Sequence, residues 1–185
     1  MSTQIEAKLW NGYPSLTNYP DNEKWHGHLL DQYKLYVEMA DRISQRRATA
    51  NTYFLSLNSA IIAFVGYLTS KDSTELLWIL AVAGIVLSIL WRSIITSYRN
   101  LNTAKWAIVH LIEKRLPISP YDAEWELVKR GTSDKDYKPI SHIEGNVPWI
   151  FLGLHAIVLF KTMWNDTFVS AAQAMIQQAV HTACS

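Results

Sequence analysis

Residues Ala48 to Ser70 read ATANTYFLSLNSAIIAFVGYLTS and carry no charge between Arg47 and Lys71. A run of this length suffices to cross a bilayer, which requires about 20 mostly apolar residues. The basic doublet Arg46-Arg47 directly precedes it, as in a segment anchored on the cytoplasmic side. The segment therefore predicts a membrane-spanning helix and an integral membrane protein.

Two further apolar blocks follow. LLWILAVAGIVLSILW (Leu76 to Trp91) ends at Arg92, whose long side chain can reach the membrane surface. Only the residues KDSTE separate this block from the first, so the two predict a helical hairpin rather than buried helices of a soluble bundle. VPWIFLGLHAIVLFKTMW (Val147 to Trp164) carries Pro148, which suits a first helical turn, and predicts a third span. A helix lying at the interface, or packed on the hairpin, is the alternative for this block.

Aromatic and basic residues at the ends of the three blocks predict membrane anchors, because amphipathic rings favour the two interfaces of a bilayer. Tyr53 and Tyr67 bracket the first block. The predicted anchors at the ends of the spans are Arg46, Arg47, Trp78, Trp91, Arg92, Trp149 and Trp164.

The distribution of Lys and Arg predicts the orientation. Six precede the first span and nine lie between the second and third blocks, whereas the first turn contains only Lys71 and the remainder only Lys161. Because basic residues concentrate on the cytoplasmic side, the N-terminus and residues 92–146 are predicted to be cytoplasmic. Three spans then place the C-terminal tail outside.

The predicted fold class is an all-α integral membrane protein, a transmembrane helical hairpin extended by long cytoplasmic helices with a third transmembrane helix. Apolar residues at three- and four-residue steps predict an amphipathic helix over Asp21 to Arg47 that continues into the first span, and one helix over Leu76 to Leu116. A short helix is expected to start with Ser119 as its cap and to end at Gly131. The predicted domains are 1–50 (cytoplasmic N-terminal region), 51–95 (hairpin), 96–146 (cytoplasmic helical region), 147–164 (third span) and 165–185 (C-terminal tail).

Composition argues against several classes of function. The net charge of +1 gives no support for nucleic-acid binding, and the single Cys184 permits no intramolecular disulfide. The N-terminal sequence lacks an apolar signal core, so no cleaved leader is expected. His26 and His28 form the only close histidine pair, without a carboxylate at metal-ligand spacing, and no nucleophile elbow or phosphate-binding loop is present. We therefore expect no enzyme activity, no cofactor and no metal.

Polar and small residues within the spans are the candidate functional positions. Asn51 and Asn58 share one face of the first span with Leu55 and Ile62, and a membrane asparagine needs a partner. One interpretation is a hydrogen bond within one subunit, and the other is a polar line facing a lumen or a subunit interface. His155, in the middle of the third block, is interpreted either as a neutral imidazole bonded to a neighbouring helix or as a functional group. Small residues that favour close helix packing are Ser56, Ser59, Ala63, Gly66 and Ser70 in the first span and Ala81, Gly84 and Ser88 in the second.

The segment LLDQYKLYVEMADRISQRRATANTYFLSLNSAIIAFVGYL (Leu29 to Leu68) resembles the Rip family of octameric bacterial membrane proteins, as does ISHIEGNVPWIFLGLHAIVLF (Ile140 to Phe160). That resemblance implies a ring-like homo-oligomer that assembles on a ring-shaped phage component, such as a portal or small terminase, and then permeabilises the inner membrane. The chain is also similar to the SLATT group, two-helix membrane effectors that accompany nucleotide signalling. Neither resemblance supplies catalytic residues.

The leading hypothesis is a homo-oligomeric inner-membrane pore of anti-phage defence that acts by abortive infection. Its partners would be further copies of itself, the lipid bilayer and a phage structural protein. The alternatives are a membrane-anchored adaptor or subunit of a larger complex, and a SLATT-like effector gated by nucleotide signalling. A transporter is disfavoured because the spans show no inverted repeat.

Overall fold

The computed structural model describes residues 2–10, 21–71, 73, 75–131 and 144–183. Five α-helices occupy this part of the chain, and no strand occurs within it. They are α1 (Ser2–Leu9), α2 (Asn22–Ser70), α3 (Leu77–Glu113), α4 (Pro120–Leu127) and α5 (Val147–Ala183). The all-α prediction is confirmed, as is the continuous helix that joins the amphipathic segment to the first span.

The chain divides into two compact units. The peripheral unit comprises Met1–Ala48 and Ser97–Ile140, and the membrane unit comprises Thr49–Thr96 and Ser141–Ser185. The helices α2 and α3 contribute to both units, because each continues through the dividing residues. Within each unit they run antiparallel, since contacts early in α2 are made to positions late in α3.

The membrane unit contains the apolar parts of α2 and α3 and the whole of α5. Three helices are long and apolar enough to cross a membrane, with their most apolar windows in Asn22–Ser70, Leu77–Glu113 and Val147–Trp164. Only 17%, 28% and 17% of the residues in these windows are buried inside one chain. Helices that are apolar on nearly every side have to be covered by lipid or by other subunits.

The peripheral unit has a small core in which Leu29, Ala40, Val109 and Ile112 are buried. The Lys105 ammonium lies 4.5 Å from the centre of the Tyr36 ring, so its charge is stabilised by an aromatic face. At the end of α1, Trp10 stacks against the guanidinium of Arg115 at 3.7 Å. The sequence did not predict α1, because eight residues carry too little periodicity to define a helix.

The predicted start of α4 is confirmed, because Ser119 occupies the N-cap position and Pro120 the first turn, whereas the predicted end at Gly131 was wrong. Ser119 precedes α4, but its side chain forms no capping hydrogen bond and instead donates to the Glu113 carbonyl at 3.2 Å. The helix ends at Leu127, and one residue separates it from the short 3-10 helix Lys129–Gly131, in which Lys129 and Arg130 have φ of 50° and 53°. A left-handed backbone at two consecutive non-glycine residues already reverses the chain before Gly131 is reached. The helix α5 continues unbroken to Ala183, beyond the predicted end of the third span at Trp164.

Candidate functional site

The three membrane helices meet at one buried hydrogen-bond cluster around Asn58 of α2. The Asn58 Oδ1 lies 3.1 Å from the Ser88 hydroxyl of α3 and 3.2 Å from the His155 Nε2 of α5. The Asn58 Nδ2 donates to the Phe54 carbonyl at 2.9 Å, so both ends of the amide are satisfied. Asn58, Ser88 and His155 are all fully buried. The cluster therefore links the third helix to the hairpin by polar contacts as well as by packing.

Gly84 is the position that allows His155 to reach this cluster. The imidazole lies directly against the Gly84 backbone, and a Cβ placed there would overlap ring atoms of His155. The ring takes the tautomer in which Nε2 carries the proton, since Asn58 Oδ1 can only accept. The Ser88 hydroxyl has a second acceptor in the Gly84 carbonyl at 2.8 Å. Close helix approach at Gly84, predicted from its small size, thus serves a specific side chain.

Asn51 lies two helical turns before Asn58 on the same face of α2. Its Oδ1 accepts a hydrogen bond from the indole Nε1 of Trp91 at 3.0 Å. Trp91 is fully buried and lies near the rings of Phe54 and Phe151, with centroids 6.2 Å and 5.8 Å away. The asparagine satisfies an indole N–H that would otherwise be buried without a partner.

These contacts decide between the two interpretations of the asparagine face. Asn51 and Asn58 bond within one subunit, and Asn58 is not exposed to a lumen in this conformation. Leu55 at 40% exposure and the half-buried Ile62 lie at the border of the same face. The expectation that Asn58 lines a pore is therefore corrected, because in this structure Asn58 joins the three membrane helices.

The predicted membrane anchors differ in their surroundings. The side chains of Trp78, Trp149 and Trp164 are about half exposed, as interfacial rings require, whereas Trp91 lies in the core. Trp91 is therefore wrong as an interfacial anchor, because its indole packs between helices. Arg46 and Arg92 are exposed and Arg47 is half-buried.

The small-residue faces of the two hairpin helices have different environments. Ala81, Gly84 and Ser88 of α3 are buried against the other membrane helices. The small residues of α2 remain exposed in the single chain, namely Ser56, Ser59, Ala63, Gly66 and Ser70. A Cβ built on Gly66 meets no atom within 4 Å. The prediction that Gly66 lies at the contact within the hairpin was wrong, because α2 packs through its asparagine face instead. We call these five residues the α2 stripe.

A groove of about 420 Å³ opens between α3 and the first turns of α5. The Arg92 guanidinium at this groove lies 4.6 Å from the centre of the Trp149 ring, and its Nη1 donates to the Gly145 carbonyl at 3.2 Å. These two contacts fix the Arg92 side chain at the end of the apolar segment of α3.

A second polar site lies in the peripheral unit around Glu113, the last residue of α3. Its carboxylate accepts the backbone N–H groups of Tyr121 and Asp122 at 3.1 Å each and the hydroxyl of Tyr33 at 2.9 Å. The fully buried carboxylate thus caps α4 in place of Ser119. Burial and the hydrogen bond to Glu113 raise the pKa of the Tyr33 phenol above its ordinary value, so the phenol remains a donor at neutral pH.

The sequence analysis did not identify this carboxylate, since its three partners lie 8, 9 and 80 positions away along the chain. His110 Nδ1 lies 3.6 Å from the Glu113 carboxylate and 3.8 Å from that of Asp122. Within the described ranges, no group of three or more His, Cys, Asp or Glu side chains is placed to hold a metal ion. The two clusters hold helices together by hydrogen bonds between side chains of different helices.

Comparison with models of known protein families shows to which family the chain belongs. The model of the octameric membrane protein family (8xMP) matches residues 30–164, which include most of α2, all of α3 and α4, and the first half of α5. The chain belongs to the octameric membrane protein family. Searches of the curated proteins and of the solved structures find no match.

Membership of an octameric family gives a reason for the surfaces left uncovered in one chain. A homo-oligomer with closed symmetry needs self-complementary or head-to-tail surfaces on every subunit. Interfaces between membrane helices are enriched in small residues, which let backbones approach closely. The α2 stripe has this composition and is left free by α3 and α5.

Proposed function

We propose that the protein forms a homo-octameric pore in the bacterial inner membrane and acts in anti-phage defence by permeabilising that membrane. The α2 stripe carries this proposal. The Ser70 hydroxyl donates to the Tyr67 carbonyl of its own helix at 2.7 Å. Ser56 and Ser59 lie deeper in the span, where lipid offers no hydrogen bonds, so this part of the stripe favours contact with a neighbouring subunit or water. In a closed ring of identical subunits, one face of each subunit borders the central axis.

The trigger is a phage-derived component, such as a ring-shaped portal or small terminase, recognised by the peripheral unit. We place its binding surface on α4 and the turn before it. Ile118, just before this helix, is 71% exposed, and Leu127, its last residue, is 82% exposed. Both values are high for large apolar side chains. Contiguous exposed apolar surface marks protein interaction sites, and these two side chains would supply apolar contacts to the trigger.

The same exposed residues favour a second function, that of a membrane-anchored adaptor. An adaptor would use α4 to recruit a partner and would never conduct ions. The pore and the adaptor differ in the response of the membrane potential, because only the pore dissipates it.

The test compares two equal substitutions about 60° apart around α2, one inside the α2 stripe and one at its edge. Ala63→Leu adds bulk to the α2 stripe, whereas Ala60→Leu adds the same bulk on the side shared with Tyr53 and Phe64; both alanines are exposed. We expect Ala63→Leu to insert in the membrane but to fail to assemble, since association in lipid depends on packing. Ala60→Leu is expected to retain the octamer. Oligomer size is measured by mass photometry of detergent-solubilised protein.

Membrane potential is then followed with a voltage-sensitive dye in cells that express each variant with a phage portal or small terminase, or that are infected by phage. Wild type and Ala60→Leu are expected to depolarise the cells only in the presence of the trigger, and Ala63→Leu not at all. An intact wild-type octamer that leaves the potential unchanged under every trigger would favour the adaptor.

A further inference from the structure

The groove beside Arg92 changes character along its length. Arg92, Ser93 and Thr96 supply charge and hydroxyl groups, whereas Ile89 and Leu152 supply an apolar wall. Thr96 and Ser88, the outermost positions on α3, lie eight residues apart, or about 12 Å along a helix. The lining thus passes from a charged end to an apolar part within the length of a lipid headgroup and its first acyl carbons.

The charged end of the groove is held ready for an anion. The Arg92 guanidinium is fixed by the Gly145 carbonyl and the Trp149 ring, and one hydrogen bond uses only one of its five N–H donors. Within the described part of the chain, the Ser93 and Thr96 hydroxyls take part in no hydrogen bond. A phosphate oxygen can therefore accept from the guanidinium and from a hydroxyl together.

We propose that this groove binds an anionic phospholipid, with the phosphate at Arg92 and the glycerol and first acyl carbons along Ile89 and Leu152. Arg92 directly follows the uncharged segment of α3, at the boundary that the basic residues assign to the cytoplasmic leaflet. That leaflet is negatively charged, and basic pockets between transmembrane helices on that side suit anionic headgroups. The inference rests on the proposed topology but not on pore activity.

A free phosphate ion fits the same charge but not the apolar wall, so the occupant is a lipid. Trp149 adds a ring that packs on Arg92 and is half exposed, as expected for a side chain at the headgroup level. The groove would then couple the hairpin to α5 through a bound lipid.

The experiment measures lipid retention by the purified octamer. The protein in detergent receives dioleoyl phosphatidylglycerol, dioleoyl phosphatidylcholine or inorganic phosphate, and bound lipid is counted by native mass spectrometry alongside thermal stability. We expect wild type to retain phosphatidylglycerol in preference to phosphatidylcholine, and inorganic phosphate to leave the melting temperature unchanged. Arg92→Gln is expected to lower the preference about fivefold, the contribution of one basic residue near an anionic surface.

Lys161→Gln is the matched control, because this exposed basic residue lies toward the other end of the span in α5. It should keep the wild-type preference. Thr96→Val retains the charge and nearly the shape, and a smaller loss of preference is expected; it decides the matter if Arg92→Gln does not assemble. Equal retention of the two lipids by wild type, as when a neighbouring subunit fills the groove, overturns the inference. An unchanged lipid preference in Arg92→Gln also overturns it, and Thr96→Val is judged in the same way if Arg92→Gln does not assemble. Stabilisation by inorganic phosphate equal to that by phosphatidylglycerol is a third result that contradicts the inference.

Discussion

Asn58 illustrates how a single polar residue determines the packing of apolar helices. A membrane-spanning asparagine has no water to bond with, so the helices arrange themselves to supply partners. Ser88 and His155 do so from two different helices. The position of Gly84 then follows, because only a residue without Cβ leaves room for the imidazole at this point.

Replacing Gly84 with Ala tests this arrangement most directly. The added methyl group overlaps the His155 ring and forces it away from Asn58, so we expect a loss of about 1–3 kcal/mol, as for overpacked cores. Gly153→Ala adds the same methyl group where no atom lies within 4 Å and should be neutral. Thermal unfolding of the solubilised octamer provides the measurement. Equal melting temperatures for the two variants would show that His155 does not rest on Gly84.

Asn58→Leu is expected to lower the free energy of unfolding. It removes the acceptor shared by Ser88 and His155, and hydrogen bonds between membrane helices contribute about 0.6 kcal/mol each on average. Unfolding in increasing denaturant should therefore show a loss of about 1 kcal/mol, with the surviving octamers still depolarising triggered cells. A variant of unchanged stability that has lost only depolarisation would instead favour a role of Asn58 in lining the proposed pore.

At the scale of helices, the long elements could be predicted and the contacts between them could not. The charge-free segment and the apolar period are local properties, so the predicted helix over 76–116 lies close to the observed α3, Leu77–Glu113. In contrast, the choice of which α2 face packs against the other helices is not a local property of the sequence. Two faces of α2 carry plausible residues, and the choice depends on His155, which lies 97 positions from Asn58. The capping of α4 by Glu113 escaped prediction for the same reason, since a serine stood at the expected position.

The cap provides a prediction for the peripheral unit. Glu113→Gln keeps the shape but removes the charge that the Tyr121 and Asp122 amides and the Tyr33 hydroxyl bond to. Hydrogen bonds to charged groups contribute about 1.5–3 kcal/mol, so these two amides should exchange with deuterium about tenfold faster. Glu124→Gln, an exposed carboxylate on α4, is the control. Unchanged exchange in Glu113→Gln would mean that α4 holds its first turn without the cap.

The pH dependence of the Tyr33 contact has a definite sign. Because the pKa of Tyr33 is raised in the folded protein, its contribution to stability is complete below the ordinary value of about 10 and is lost as the pH rises through the folded value. Tyr33→Phe should therefore destabilise the peripheral unit at neutral pH, and the difference from wild type should shrink only in strong alkali.

For the whole molecule, orientation determines which groups meet the cytoplasm and hence which could contact the proposed phage component. The predicted orientation depends on a strong asymmetry, because fifteen of the 17 basic residues lie before the first span or between the second and third. If that asymmetry sets the topology, the turn between α2 and α3 lies outside and α4 lies inside. The Arg92 groove then opens at the cytoplasmic leaflet.

Cysteine labelling tests this orientation in intact cells. In a Cys184→Ser background, Ser73→Cys in the exposed turn should react with a membrane-impermeant maleimide, whereas Glu124→Cys on α4 should react only after the cells are opened. Both positions are exposed in the structure, so a difference in labelling reports the side of the membrane and not burial. The native Cys184 tests the third span separately, because a crossing by α5 places it outside with Ser73. Reversed labelling at Ser73 and Glu124 would put the peripheral unit outside the cell, where it cannot meet a phage component that acts in the cytoplasm. Protection of Cys184 together with the expected pattern at the other two positions would show that α5 packs on the hairpin without crossing.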